Sequence, residues 1–157
     1  MPIPEFVVEM RKLIGQQEMW LPAVTAVVQR GDEILLVQRA DNGLWTLITG
    51  ILDPGEEPAV AAARETLEET GVVITVDRLA STSSDTGIVH VNGDRASYLD
   101  LTFSCTYVSG EAHVADDESR DVRWFPRDGL PDMPEKMVRR LADALSGEQA
   151  ARFVWPT

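Results

Sequence analysis

Residues 50–72, GILDPGEEPAVAAARETLEETGV, constrain the chain more than any other stretch, because five glutamates, one aspartate and a single arginine fall in a helix-forming run. Pro58 suits a first helical turn, where its missing N–H leaves no hydrogen bond unmade. The Ala59–Arg64 segment favours helix, and Gly71 stands where a helix ends in the left-handed conformation. At about 100° per residue, Val60, Ala63 and Leu67 share one stripe and Glu65, Glu68 and Glu69 lie roughly opposite. The expected arrangement packs the apolar stripe on a core and gathers the three carboxylates on the other face. Like charges at this spacing destabilise a helix by a few tenths of a kcal/mol per pair. No lysine lies between Glu56 and Asp77 to relieve them. A divalent cation would, and clustered oxygen donors without His or Cys suit Mg²⁺, with Mn²⁺ as a substitute.

The rest of the chain supplies elements to carry this helix. Phe6, Val7, Met10, Leu13 and Ile14 recur at helical spacing over residues 4–15, so a short amphipathic helix is expected, covering either the core or a partner subunit. Residues 20–29 and 34–37 read as a hairpin turning at Arg30-Gly31-Asp32. Trp45 to Ile48 reads as one short strand leading into Gly50, with Trp45 as a packing residue. Val72 to Val76 starts a strand, Leu79 to Val91 continues as a longer twisted one, and Asn92-Gly93-Asp94 marks a hairpin turn. The returning strand spans Tyr98 to Tyr107 and holds Cys105, a packed thiol, and Asp100, which faces either a pocket or solvent. An acidic loop at Asp116-Asp117-Glu118 precedes a strand at residues 121–125. Met133, Met137, Leu141 and Leu145 support a closing helix over residues 134–146, and Val154-Trp155 in the tail is expected to dock on the core or a neighbour.

Gly50, five residues, Glu56, seven residues, Arg64-Glu65, two residues, Glu68-Glu69, one residue, Gly71 and then Val72 together resemble the Nudix box. Seven fixed positions at roughly 7% background each would match by chance on the order of once in 10⁸ starts. Two positions depart from the family's pattern. Thr66 stands where an aliphatic residue is usual, and Ile48-Thr49 precede Gly50 in place of Pro-Gly, which alters the loop presenting the Gly50 carbonyl.

The resemblance implies an α/β/α sandwich with a mixed sheet between helices; element order alone supports α+β equally. It also implies Mg²⁺-dependent hydrolysis of a nucleoside diphosphate linked to another group. On that reading the metal ligands are Glu65, Glu68, Glu69 and the Gly50 carbonyl. Glu65, Glu68 or Glu118 takes the proton from water, Glu56 is a supporting acid, and Arg64 orients the glutamates. Arg39, at the end of the second strand, either faces substrate phosphates or is a solvated charge. A catalytically weak nucleotide-sensing domain is the alternative. An isomerase built on the same fold needs a Cys and Glu pair that Cys105 does not suit. Residues 86–90 carry neither the proline associated with ADP-ribose hydrolysis nor the tyrosine associated with dinucleoside polyphosphates, which leaves nucleoside triphosphates and ADP-sugars open.

The 157 residues fit one domain, with 1–19 as an N-terminal helical extension and 134–157 as the closing helix and tail. A formal charge of −12 offers no basic surplus for a nucleic-acid backbone or an acidic membrane, so a small nucleotide bridged by metal is the expected partner. The lone cysteine forms no internal disulfide, the lack of a signal peptide or 18-residue apolar run points to the cytoplasm, and apolar residues near both chain ends point to a homodimer.

Overall fold

A computed structural model describes residues 3–156. Its organising strand is β1 (Met19–Arg30), an apolar, β-branched run that is buried along most of its length. On one edge β1 pairs in parallel with β6 (Arg95–Ser109), in register from Met19↔Ala96 to Gln29↔Thr106. The opposite edge is shared: β2 (Glu33–Arg39) takes only Gln29 and Arg30, and β4 (Ile48–Ile51) takes Ala23 to Ala26. The expected hairpin therefore exists but splays after two residue pairs, and the gap between β2 and β4 is where a cleft can form.

The single short strand expected at residues 45–48 is broken at Leu47 into β3 (Trp45–Thr46), which pairs with β2, and β4, which pairs with β1. Leu47 is fully buried at the break. The hairpin at Gly93 joins β5 (Val73–Val89) to β6, and four register shifts along the pair give β5 its twist. β7 (Ser119–Pro126) completes a seven-stranded sheet on the outer side of β2.

Alternation along the strands separates two cores. On one face Val24, Ala26, Val28, Phe103 and Cys105 pack against Ala61 and Ala62 of α2 (Pro58–Thr70). On the other, Val27, Ile34 and Leu36 meet Met137 and Leu141 of α3 (Glu135–Leu145). Helices on both faces of a mixed sheet are the α/β sandwich expected. The first helix, α1 (Glu5–Ile14), closes one end by seating Val7 with Met19, Leu21 and Ala96. Of the two docking places expected for the tail, the core is not the one Val154-Trp155 use. Arg152 adds a parallel bridge to Ser81, but Val154 and Trp155 stay exposed.

Candidate active site

α2 turns most of its expected apolar stripe away from the sheet, with only Ala63 of the three packing on the core. Val60 is 58% exposed and Leu67 50%, whereas Ala61, Ala62, Glu65, Thr66, Glu69 and Thr70 are buried. Small side chains at 61 and 62 allow close approach to the sheet. The hydroxyls of Thr66 and Thr70 satisfy themselves on the carbonyls of Ala62 and Thr66 at 2.8 and 2.6 Å. Two of the three glutamates are thereby carried inward, while Glu68 stays near solvent.

Gly50 explains how Glu65 fits. A Cβ built on Gly50 would fall well inside 3.0 Å of the Glu65 carboxyl carbon, so the carboxylate lies directly against the glycine. Arg64 holds the cluster. Its Nε and Nη2 donate to the two oxygens of Glu56 at 2.7 and 2.8 Å, a bidentate fork. Nη1 donates to Glu65 Oε1 at 2.9 Å and to Glu68 Oε2 at 3.2 Å. Glu56 also accepts from the Asp53 backbone N–H at 3.0 Å, which ties the loop before α2 to the same knot. The lone arginine of the segment thus relieves the like-charge repulsion along one side of the helix.

It does not relieve the buried side. Burial pushes the Glu65 carboxyl up to about 8, against the pull of Arg64. Burial, with the neighbouring Glu65, pushes Glu69 up to about 9. Among the described residues no three acidic, His or Cys side chains stand together in a metal-holding group, so Glu65, Glu68 and Glu69 are not drawn onto one point. The donor chemistry nonetheless fits a hard divalent cation. Glu65 Oε2 is buried and has no hydrogen-bond partner among the described residues, and such an oxygen calls for a cation or proton to compensate its lost hydration.

A cleft of about 790 Å³ opens beside this knot, in the range of nucleotide-sized ligand sites. Gly50, Glu69, Arg39 and Glu118 all line it. Arg39 reaches it from the end of β2 with its guanidinium forked onto Asp41 at 2.9 and 2.6 Å. Glu118 comes from the acidic loop, which is pinned to the end of α2 by His113 N–H to Thr70 carbonyl at 3.0 Å and Ala115 N–H to Glu69 carbonyl at 3.2 Å. The Glu118 backbone carbonyl accepts from Ala40 N–H at 2.8 Å, and burial with nearby Asp116 raises its carboxyl. Glu68, Glu56 and Arg64 do not line this cleft.

Reasoning from sequence missed the opposite wall. Asp85, Lys136 and Arg140 line the same cleft together with Asp100, which is buried and not solvent-facing. The signal for Arg140 was present: it falls on the buried stripe of α3 with Met137, Leu141 and Ala144, and a charge there needs buried partners. Trp45 is a packing residue, set edge-to-face on Phe125 with centroids 4.8 Å apart. The buried Cys105 has its thiol pushed up to about 12 by burial.

Residues 19–146 match the NUDIX domain family model. A MutT-like protein of Streptomyces ambofaciens is 38% identical over 129 residues, 80% of this chain and 77% of that protein. The NAD-capped RNA hydrolase NudC of Pseudomonas aeruginosa is 33% identical over 78% of this chain, which spans only 42% of NudC. A solved NUDIX hydrolase structure from Nitrosomonas europaea superposes with a TM-score of 0.69 at 27% identity, covering 85% of this chain and 93% of that one.

Proposed function

The chain belongs to the NUDIX family as a pyrophosphohydrolase, and from that premise we propose that it hydrolyses, with Mg²⁺ or Mn²⁺, the pyrophosphate linkage of a nucleoside diphosphate joined to another group. One observation carries this reading: the buried oxygen of Glu65 that has no partner among the described residues, seated on Gly50 beside Glu69 at the edge of a nucleotide-sized cleft. Glu65, Glu68, Glu69 and the Gly50 carbonyl would hold the cation. When bound, it supplies charge neutralisation at the phosphates and acidification of the attacking water.

The chain's own groups do the remainder. Arg39, released from Asp41, offers its fork to phosphate oxygens, and its planar donors match two of them at once. Glu118, its carboxyl raised by burial, is a candidate to take the proton from water, as are Glu65 and Glu68. Arg64, fixed by Glu56, sets the direction of the glutamates without lining the cleft. NudC is named for NAD-capped RNA, but the −12 charge of this chain favours small nucleotides over an RNA body. Exposed Val8, Met10 and Leu13 on α1, with Trp20, support a homodimer, which a monomeric mass at micromolar concentration would refute.

The test is a chromatographic screen for mononucleotide release from nucleoside triphosphates, nucleoside diphosphate sugars and dinucleoside polyphosphates, with Mg²⁺ and with chelator. Cation-dependent release from at least one class, reduced at least about 100-fold in Glu65→Gln, is expected. Release that ignores the cation, or a variant as active as the parent, would overturn the assignment.

A further inference from the structure

Four ionised side chains meet on the α3 side of the cleft, and none belongs to the glutamate helix. Arg140, buried to 3% exposure, donates through Nη2 to Asp85 Oδ2 at 2.8 Å and sets Nε 3.3 Å from Asp100 Oδ2. Lys136 donates to the same Asp85 oxygen at 3.0 Å. The two Asp100 oxygens accept from the hydroxyls of Thr25 and Thr102, each at 2.7 Å. Two cations face two carboxylates, so this wall carries no net charge.

That balance decides what the wall can take. A second phosphate would need surplus positive charge, and none is spare here. A purely apolar group would leave charged side chains facing it unsatisfied. Both cations engage Asp85 Oδ2, which leaves Oδ1 to accept a further bond. Lys136, with its side chain 38% exposed, keeps donors beyond the one given to Asp85. Pro134, Met137 and Ile88 line the same side and supply apolar surface for a flat ring. Arg140 locks Asp85 from below, so the donor and acceptor are preorganised instead of ordered by the ligand.

We propose that Lys136 and Asp85 are specificity-determining residues that read the hydrogen-bonding edge of an uncharged heteroaromatic base, holding the nucleoside end of the substrate on the α3 side. This rests on the reading of the cleft as a nucleoside diphosphate site and adds which moiety goes where. The diphosphate then lies toward Gly50, Glu69 and Arg39.

The test separates the two readings by using ligands without phosphate. Adenosine, guanosine, cytidine and uridine, with ribose as control, are titrated by ligand-observed NMR in chelator. At least one nucleoside should bind with saturation strongest on its base protons, and ribose should not. Lys136→Met should weaken that nucleoside roughly tenfold, the worth of one bond to a charged group, with its melting temperature unchanged. No nucleoside binding, or binding equal in Lys136→Met, overturns the proposal whether or not the protein hydrolyses pyrophosphates. In turnover, the same variant should raise KM for the nucleotide and leave kcat nearly unchanged; a loss confined to kcat also overturns it.

Discussion

Gly50→Ala isolates the contact on which the glutamate site is built. Gly50 is not among the glycines with positive φ, so alanine is free to adopt its backbone and any cost is steric. The added Cβ would meet Cγ, Cδ and Oε1 of Glu65, all well inside 3.0 Å. Glu65 cannot step aside at low cost, since it is fully buried and held by Arg64 at 2.9 Å. Overpacking of this kind costs about 1–3 kcal/mol. For a chain of this size that lowers the melting temperature by roughly 2–12 °C. A double-mutant cycle assigns the cause. Glu65→Ala removes all three clashing atoms, so Gly50→Ala should cost close to nothing in that background, a coupling of about −1 to −3 kcal/mol. Gly55→Ala is the contrasting control: its φ is 81°, and a Cβ added there would meet nothing within 4 Å. There the cost of about 1–2 kcal/mol comes from the backbone and should be independent of Glu65. Chemical denaturation of the four variants of the cycle supplies the numbers. Additivity of Gly50→Ala and Glu65→Ala within about 0.5 kcal/mol would refute the reasoning.

Three further outcomes follow from groups already described. Glu65 and Glu69 are raised in the fold, from an ordinary value of 4.5 to about 8 and about 9, so the folded state holds their protons more tightly. The stability they contribute is present at low pH and is lost as pH rises through 8 and 9; melts in chelator between pH 6 and 9 should show this fall, flattened in Glu65→Gln/Glu69→Gln. Arg140→Met strands Asp85 and Asp100 without their buried cation and should cost about 3–5 kcal/mol in urea denaturation; a cost under about 1 kcal/mol would contradict the buried network. Cys105, buried with its thiol pushed up to about 12, should resist an aromatic disulfide reagent at pH 8 and react at once in denaturant.

The reaction centre was legible because its residues are close in sequence and chemically unusual: a spaced set of glutamates, one arginine, and glycines at both ends. Alternation and three helical periods supplied the elements, and the resemblance carried by the glutamate segment supplied the sandwich, which element order alone left level with α+β. What stayed hidden depends on distant parts of the chain. The inward turn of Glu65 and Glu69 is set by Gly50 and by the small residues at 61 and 62, whereas helical periodicity rewards the larger Val60 and Leu67, which face solvent. The division of residues 45–51 between two partners arises because β2 and β4 compete for one edge of β1. Arg140 sits on a buried helical stripe, but its partner Asp85 comes from an element about 50 positions away, and Asp85 and Lys136 each alone read as an ordinary surface charge.

The parallel pairing of β1 with β6 sets an order of assembly. Thr25 and Asp100, joined across it, stand 75 positions apart in the chain, so this contact closes a long loop before it returns any free energy. The β5–β6 hairpin and the glutamate helix need only local contacts and can form first. Refolding should therefore show helix signal ahead of cleft closure, with Glu65 and Glu69 reaching their buried setting only when β1 finds its place. Divalent cations would then act late, slowing unfolding more than they speed folding.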